Sequence, residues 1–199
     1  MREDIKQKIE KLVLKDIDYI LHYKPIAKGA ESAQHFSNMT IIKPIALNVY
    51  PQIYVDLVKR FEKDEAIRRL RNLGYRVAKF YYSSFPNELK KPQKFSKIFS
   101  EVGKKHMDEK VIIENKIEIY KKLKSCNIKI EHCIFCSDIT PFENLDIPFC
   151  IAKTGFYENL YNIKSLYNRD MEPRLVQVDS IRSARFDGDY CEYKLTVID

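Results

Sequence analysis

The sequence is poor in glycine, with five in 199 residues, and it lacks the glycine-rich loops that hold phosphate groups. It also contains no G-x-x-x-x-G-K-[ST], G-x-G-x-x-G, H-E-x-x-H or G-x-S-x-G motif. The common signatures of nucleotide-binding proteins, zinc proteases and serine hydrolases are therefore missing. Since no paired acid and base stand out either, the sequence favours a non-enzymatic protein.

The sequence also lacks a long apolar run. A membrane-spanning helix needs about 20 apolar residues, and no stretch approaches that length. The charged start MREDIKQK has no apolar core of the kind that a signal peptide carries. We therefore expect a cytoplasmic protein, with a peripheral contact with a membrane as a further expectation.

The basic residues do not form a dense block. The sequence has 35 Lys and Arg against 28 Asp and Glu, which gives a net charge of +7. The lysines are mixed with glutamates, as in ENKIEIYKKLK, and are not interleaved with aromatics as in a nucleic-acid-binding track. We expect no nucleic-acid partner. The 45% hydrophobic content is enough to build a globular core.

Apolar residues recur at helical spacing through the first half of the chain. Residues 1–51 are predicted to form an N-terminal helix and a connector, and residues 52–199 an α+β domain. The clearest helix is DEAIRRLRNLGYRVAKFYYSSF, with Asp64 and Glu65 in its first turn, where the helix dipole favours acidic side chains. Gly74 lies in the middle of this helix at a cost of about 1 kcal/mol relative to alanine, which indicates close approach of a neighbouring backbone or a ligand.

From residue 111 the apolar period changes from helical to twofold, which is typical of strands. VIIENKIEIY and IKIEHCIF predict a hairpin, with a turn at KSCN. RLVQVDSIRSARF and YCEYKLTVID predict a second hairpin, joined at the Asp-Gly of FDGDY. A helix, CIAKTGFYENLYNIKSLYN, lies between them. The prediction is an α+β fold with a helical N-terminal half and an antiparallel sheet of about four strands covered by helices on one face.

The cysteines admit more than one interpretation. Cys133 and Cys136 form a C-x-x-C pair that can bind one zinc ion from a tight turn, and Cys150 and Cys191 would complete a four-thiolate set if the chain folds back. The spacings between the three segments fit no standard zinc ribbon, and free cysteine is commonly just buried. Zinc binding and plain burial both stay open at this point.

The cysteine-bearing segments resemble a known family. EHCIFC, PFCIAKTGFYENL and FDGDYCEYKLTV, with the long helix RRLRNLGYRVAKFYY, are similar to the 4-vinyl reductase domain of archaeal hydrocarbon-binding proteins and bacterial phenol sensors. That fold is similar to the core subunits of the transport protein particle, a vesicle-tethering complex. The resemblance covers about residues 52–198.

The resemblance implies roles for individual residues. It places Cys133 and Cys136 in the family's first cysteine pair, Cys150 and Gly155 at its cysteine-to-helix junction, and Gly188 with Cys191 at its last turn and strand. Where the family commonly has a further acidic residue and a cysteine, this chain has Ser180 and Ser183. A metal site of the phenol-sensor kind would lose ligands by these replacements.

The resemblance also implies a binding role. The expectation is a non-enzymatic module for a small hydrophobic ligand such as a lipid, an acyl chain or an aromatic compound, acting as a homodimer or with related subunits. The alternative is a scaffold subunit that mediates protein assembly in membrane trafficking. The predicted ligand-binding residues, which could equally just fill the core, are Leu73, Val77, Phe80, Tyr81, Phe156, Tyr157 and Leu160.

Overall fold

The protein is described from a computed structural model. The residues that the structure describes are 45–84, 95–107, 109–120, 122–136, 146–167, 175–187 and 189–198. The helix predicted near the N-terminus and most of the connector after it lie outside these residues.

In the part of the chain that the structure describes, three α-helices precede the first strand, and two more lie between later strands. A π-helical turn at Ile45–Val49 is followed by helices α1 (Tyr50–Arg60), α2 (Lys63–Ser84) and α3 (Phe95–Val102). A second π-helical turn, Gly103–Met107, leads to strands β1 (Lys110–Ile119) and β2 (Lys122–Glu131). The remaining elements are a 3-10 turn at Phe149–Ile151, helix α4 (Ala152–Tyr167), strand β3 (Leu175–Arg182), short helix α5 (Ala184–Asp187) and strand β4 (Tyr190–Ile198).

The four strands form one antiparallel sheet in the order β1-β2-β4-β3. Between the two central strands, Ile128 pairs with Tyr193 and Ile130 pairs with Cys191. Every second residue of β4 is buried, beginning with Cys191 and Tyr193, so one face of the strand points to the core. The predicted α+β fold, with its antiparallel sheet and helical N-terminal half, is confirmed.

Helix α1 is hydrogen-bonded to the segment before α4. The hydroxyl of Tyr50 donates a hydrogen bond to the backbone oxygen of Phe149 at 2.5 Å, and that of Tyr54 donates to the backbone oxygen of Ile147. Both tyrosines are buried. The predicted domain boundary between residues 51 and 52 falls inside this helix.

Helices α2 and α4 touch through their backbones at two glycines. A Cβ atom on Gly74 would lie 1.7 Å from the backbone oxygen of Ala152, and one on Gly155 would lie 2.0 Å from that of Arg71. Neither position therefore accepts a side chain unless the helices move apart. The close approach predicted from Gly74 is an approach of backbone, and the helix that approaches is α4.

The predicted turns need two corrections. KSCN is not a turn, because Ser125 and Cys126 lie inside β2, where Ser125 pairs with Ile117 of β1. The chain reverses instead after Tyr120, which has a left-handed φ of 50°. In the second hairpin, helix α5 follows β3 directly, so the connection is longer than a two-residue turn. Gly188, at the predicted Asp-Gly turn, lies outside the described residues.

The glycine contact predicts the outcome of two substitutions. Gly74→Ala and Gly155→Ala should each lower the free energy of unfolding, since an overpacked core costs about 1–3 kcal/mol and this outweighs the gain in helix propensity of about 1 kcal/mol. Asn72→Ala, on the exposed side of α2, is the control and should leave stability unchanged or slightly higher. Urea unfolding measures all three, and an increase in stability for Gly74→Ala would contradict the packing.

Candidate metal centre

Four cysteines from three separate segments meet at one end of the sheet. Cys133 and Cys136 follow β2, Cys150 lies in the 3-10 turn before α4, and Cys191 is the second residue of β4. The pairing of Ile130 with Cys191 sets the end of β2 beside the start of β4. The strand register therefore brings the C-x-x-C pair next to Cys191.

The C-x-x-C pair is held in a tight turn. The backbone N–H of Cys136 donates to the backbone oxygen of Cys133 at 2.8 Å. His132, just before the pair, has a left-handed φ of 56°, which ends the strand and redirects the chain. Both sulfurs thus face the same buried space.

The sulfur atoms are close enough to share one metal ion. The Sγ atoms of Cys133, Cys136 and Cys191 all lie within 4.8 Å of one another. The Sγ of Cys191 is 3.5 Å from that of Cys136 and 3.6 Å from that of Cys150. Zinc bound tetrahedrally at about 2.3 Å from each sulfur would separate neighbouring sulfurs by about 3.8 Å. The sulfurs of Cys133, Cys136 and Cys191 are close to that arrangement, and Cys150 joins them through its contact with Cys191.

Two polar groups next to β3, the hydroxyl of Ser183 and the backbone N–H of Ala184, contact the sulfurs. The backbone N–H of Ala184 donates to the Sγ of Cys191 at 3.3 Å. The hydroxyl oxygen of Ser183 lies 3.7 Å from the Sγ of both Cys136 and Cys150 and is buried. Ser183, which stands where the resemblance expects a different side chain, thus contacts the cluster through its hydroxyl. Toward Cys150 the Ser183 oxygen accepts from the thiol, whereas the Ala184 N–H is a donor of the kind that stabilises a thiolate and orients a metal ligand.

The thiols share their protons unequally. The hydrogen bond with Cys133 is the largest of several that lower the pKa of Cys150 well below its usual value. The same partner raises the pKa of Cys136. Cys126 is outside the cluster, and burial raises its pKa to about 12. Contacts among the thiols thus lower the pKa of one sulfur of the cluster and raise that of another.

A buried ion pair lies beside the cluster. Lys153, in the first turn of α4, is 1% exposed and pairs with the carboxylate of Glu109. Burial opposes the charge of Lys153, but Cys133 and Glu109 raise its pKa well above the usual value. Burial raises the pKa of Glu109 to about 7, against the lowering effect of Lys153. The Lys153 ammonium also lies 5.3 Å from the centre of the Phe135 ring.

Lys153 and Glu109 were not among the site residues predicted from the sequence. A signal for the lysine was present, because Lys153 precedes Phe156, Tyr157 and Leu160 at the three- and four-residue spacing of the buried stripe of α4. A lysine on such a stripe is rarely buried without a partner. Glu109 lies just before β1 and belongs to no sequence pattern, so its pairing with Lys153 is visible only in the folded chain.

The predicted ligand-binding residues are divided between the interior and the surface. Tyr81, Phe156, Tyr157 and Leu160 are buried in the core. The rings of Tyr81, Phe156 and Tyr157 contact one another and those of neighbouring aromatics. Leu73 is half-buried at the edge of the core, whereas Val77 is 44% and Phe80 67% exposed. The structure thus brings together four of the seven, and their binding of a ligand stays a prediction.

Among the described helices, none combines the length and the apolar character that crossing a bilayer requires. The cytoplasmic location stays a prediction.

The fold and the site define the class as an α+β domain with an antiparallel sheet, helices on one face and a cysteine cluster at one end. No family model and no curated protein match the chain. A crystal structure of a trafficking protein particle complex subunit 3 from Naegleria fowleri covalently bound to palmitic acid is similar, with a TM-score of 0.53. The likeness covers 84% of this chain and 96% of that chain at 12% sequence identity.

At this identity the likeness concerns the fold alone. The predicted similarity in fold to transport-particle subunits is therefore confirmed. The finer resemblance to the 4-vinyl reductase domain stays a prediction.

Proposed function

We propose that this protein is a non-catalytic assembly module with the fold of a trafficking-complex subunit, which pairs with a second copy of itself or with related subunits. The observation that carries the proposal is the exposed apolar pair of Val77 and Phe80 at the edge of the apolar stripe of helix α2. The likeness to a subunit of a complex supports it at the level of the fold.

The apolar stripe of helix α2 extends beyond the part that the core covers. Ala66, Leu70 and Ala78 are fully buried against the core. Val77 and Phe80, three residues apart and on one face, are 44% and 67% exposed. Exposed aromatic side chains with apolar neighbours commonly mark association surfaces. A second chain is the partner that would cover this face.

A matching face on an identical chain gives a symmetric pair. In a twofold dimer the same patch occurs on both subunits, so Val77 and Phe80 of one helix can pack against their own copies. One patch per chain is therefore enough to form the pair. A related subunit that carries a similar patch on its helix could take the place of the second copy.

The proposal predicts the effect of a double substitution on α2. Val77→Ser with Phe80→Ser should weaken self-association by at least about tenfold, because it removes most of the apolar area from the face, and truncation of a well-packed anchor costs about 2 kcal/mol or more. Light scattering after size-exclusion chromatography, over a range of concentrations, measures the change.

Tyr120→Ser is the matched control. Tyr120 is an exposed aromatic, 93% accessible, at the end of β1 and away from α2. Its removal should leave the association unchanged. A wild-type chain that stays monomeric at the highest concentration would contradict self-association, and an equal effect of both variants would contradict the choice of face.

We further propose that Cys133, Cys136, Cys150 and Cys191 hold one structural zinc ion. The support is the distances of 3.5 and 3.6 Å between neighbouring sulfurs, together with the backbone N–H of Ala184 that donates to the Sγ of Cys191. A site with four protein ligands is closed to substrate, so its role would be to tie β2, β4 and the start of α4 together. Bound zinc would keep the four side chains as thiolates.

Metal loading tests the zinc proposal. Native mass spectrometry should find one zinc per chain, and serine at any of the four positions should abolish stoichiometric binding. Cys126→Ser removes a buried thiol outside the cluster and should keep the zinc. Removing zinc with a chelator should lower the melting temperature by about 2–4 °C for each kcal/mol lost.

The affinity for zinc should depend on pH in one direction. Zinc competes with protons for the thiolates, so the affinity should fall as the pH falls. A wild-type chain that binds no zinc would show that the four thiols are simply buried side chains.

A second candidate function, binding of a small hydrophobic ligand, is favoured by one observation. The hydroxyl of Tyr157 is buried and has no hydrogen-bond partner among the described residues. A buried polar group without a partner is often satisfied by a water or a ligand. The similar subunit 3 structure is covalently bound to palmitic acid, and the likeness in fold supports this candidate.

Extraction tests the ligand proposal. Organic extraction of the purified protein should release one hydrophobic molecule per chain, seen by mass spectrometry. Tyr157→Phe should reduce the amount retained, because it removes the hydroxyl that would orient the ligand, whereas Tyr161→Phe on the same helix is the control. A chain purified without any bound small molecule would contradict this candidate.

A further inference from the structure

We propose that Lys153 is the buried positive charge that compensates the four-thiolate centre and thereby determines its affinity for zinc. The inference rests on the proposed zinc site and adds a residue that is not itself a ligand. Lys153 is a positioning residue, because its positive charge would stabilise the thiolates that bind the metal and would not touch the metal itself.

The charge of the centre requires a compensating group. A zinc ion of charge +2 with four thiolates of charge −1 has a net charge of −2. The cysteines are buried, with exposed fractions of 0% for three of them and 9% for Cys136. A net charge in such surroundings is costly unless an opposite charge lies close by.

Lys153 is placed to supply the opposite charge. It follows Cys150 by three residues, at the start of α4, and its side chain is 1% exposed. Cys133 is the strongest of the groups whose negative charge acts favourably on the ammonium. Its ion pair with Glu109, whose carboxylate accepts a hydrogen bond from the C-x-x-C turn, places the ammonium beside that turn.

Glu109 holds the ammonium in place and connects it to the C-x-x-C turn. Its Oε1 atom accepts a hydrogen bond from the backbone N–H of Ile134 at 2.7 Å and also pairs with Lys153. Ile134 lies between the two cysteines of the pair. Glu109 therefore fixes the position of Lys153 relative to Cys133 and Cys136, but its own negative charge opposes the thiolates.

The two members of the ion pair should therefore affect zinc binding in opposite directions. Lys153→Met removes the compensating charge and should weaken zinc binding about 10- to 100-fold, the usual range for residues that support metal ligands. Glu109→Gln keeps an oxygen for the N–H of Ile134 and removes a negative charge, so zinc binding should be unchanged or tighter. A purely structural ion pair predicts the same loss in both variants.

The experiment is a competition titration of the purified full-length chain against a chromophoric zinc chelator. Lys164→Met is the matched control, because Lys164 is also 1% exposed on α4 but lies eleven residues further along, about 16 Å at 1.5 Å per residue. Lys164→Met should bind zinc like the wild type. Urea unfolding of the metal-free forms reports whether each variant is folded.

Each outcome decides the inference. Weaker binding by Lys153→Met only, with Glu109→Gln at or above wild-type affinity, supports it. Equal losses in both variants, or wild-type affinity in Lys153→Met, overturns it while the zinc site stands. Should Lys153→Met fail to fold, weaker binding by Glu109→Gln alone still overturns it. A wild-type chain that binds no zinc overturns the inference and the zinc proposal together.

Discussion

The backbone contact between helices α2 and α4 at Gly74 and Gly155 is the constraint on which the rest of the structure depends. Because a Cβ atom on either glycine would overlap the other helix, the two axes lie closer together than side chains would allow. The contact includes the backbone oxygen of Ala152, the first residue of α4. Since Cys150 and Lys153 flank that residue, the glycine contact also positions the thiol cluster and its neighbouring charge.

Much of the fold could be predicted from local patterns. The helix from Lys63 to Ser84 and the strand from Tyr190 to Ile198 have strong apolar periods, and both are present. The turn assigned to KSCN was wrong because serine and asparagine also occur inside strands, where partners on neighbouring strands decide their conformation. The reversal after Tyr120 depends on a left-handed residue that has no turn signature.

The site was harder to predict for a different reason. The sequence can propose that four cysteines meet, but their meeting depends on the pairing of β2 with β4 and on the helix contact, which are long-range features. The alternating burial of β4 is visible in the sequence, whereas the partner of Lys153 is not. An apolar stripe also does not reveal which of its residues face the core, so Val77 and Phe80 were grouped with buried residues.

The thiol cluster, the helix contact and the ion pair form one continuous arrangement at the end of the sheet. Zinc at the cluster would join β2, β4 and α4, which all contribute residues to the buried core. X-ray absorption at the zinc edge of the purified protein tests this account most directly. The account predicts a single shell of four sulfurs at about 2.3 Å. A shell of nitrogen and oxygen ligands, or a chain that retains no zinc, would contradict it.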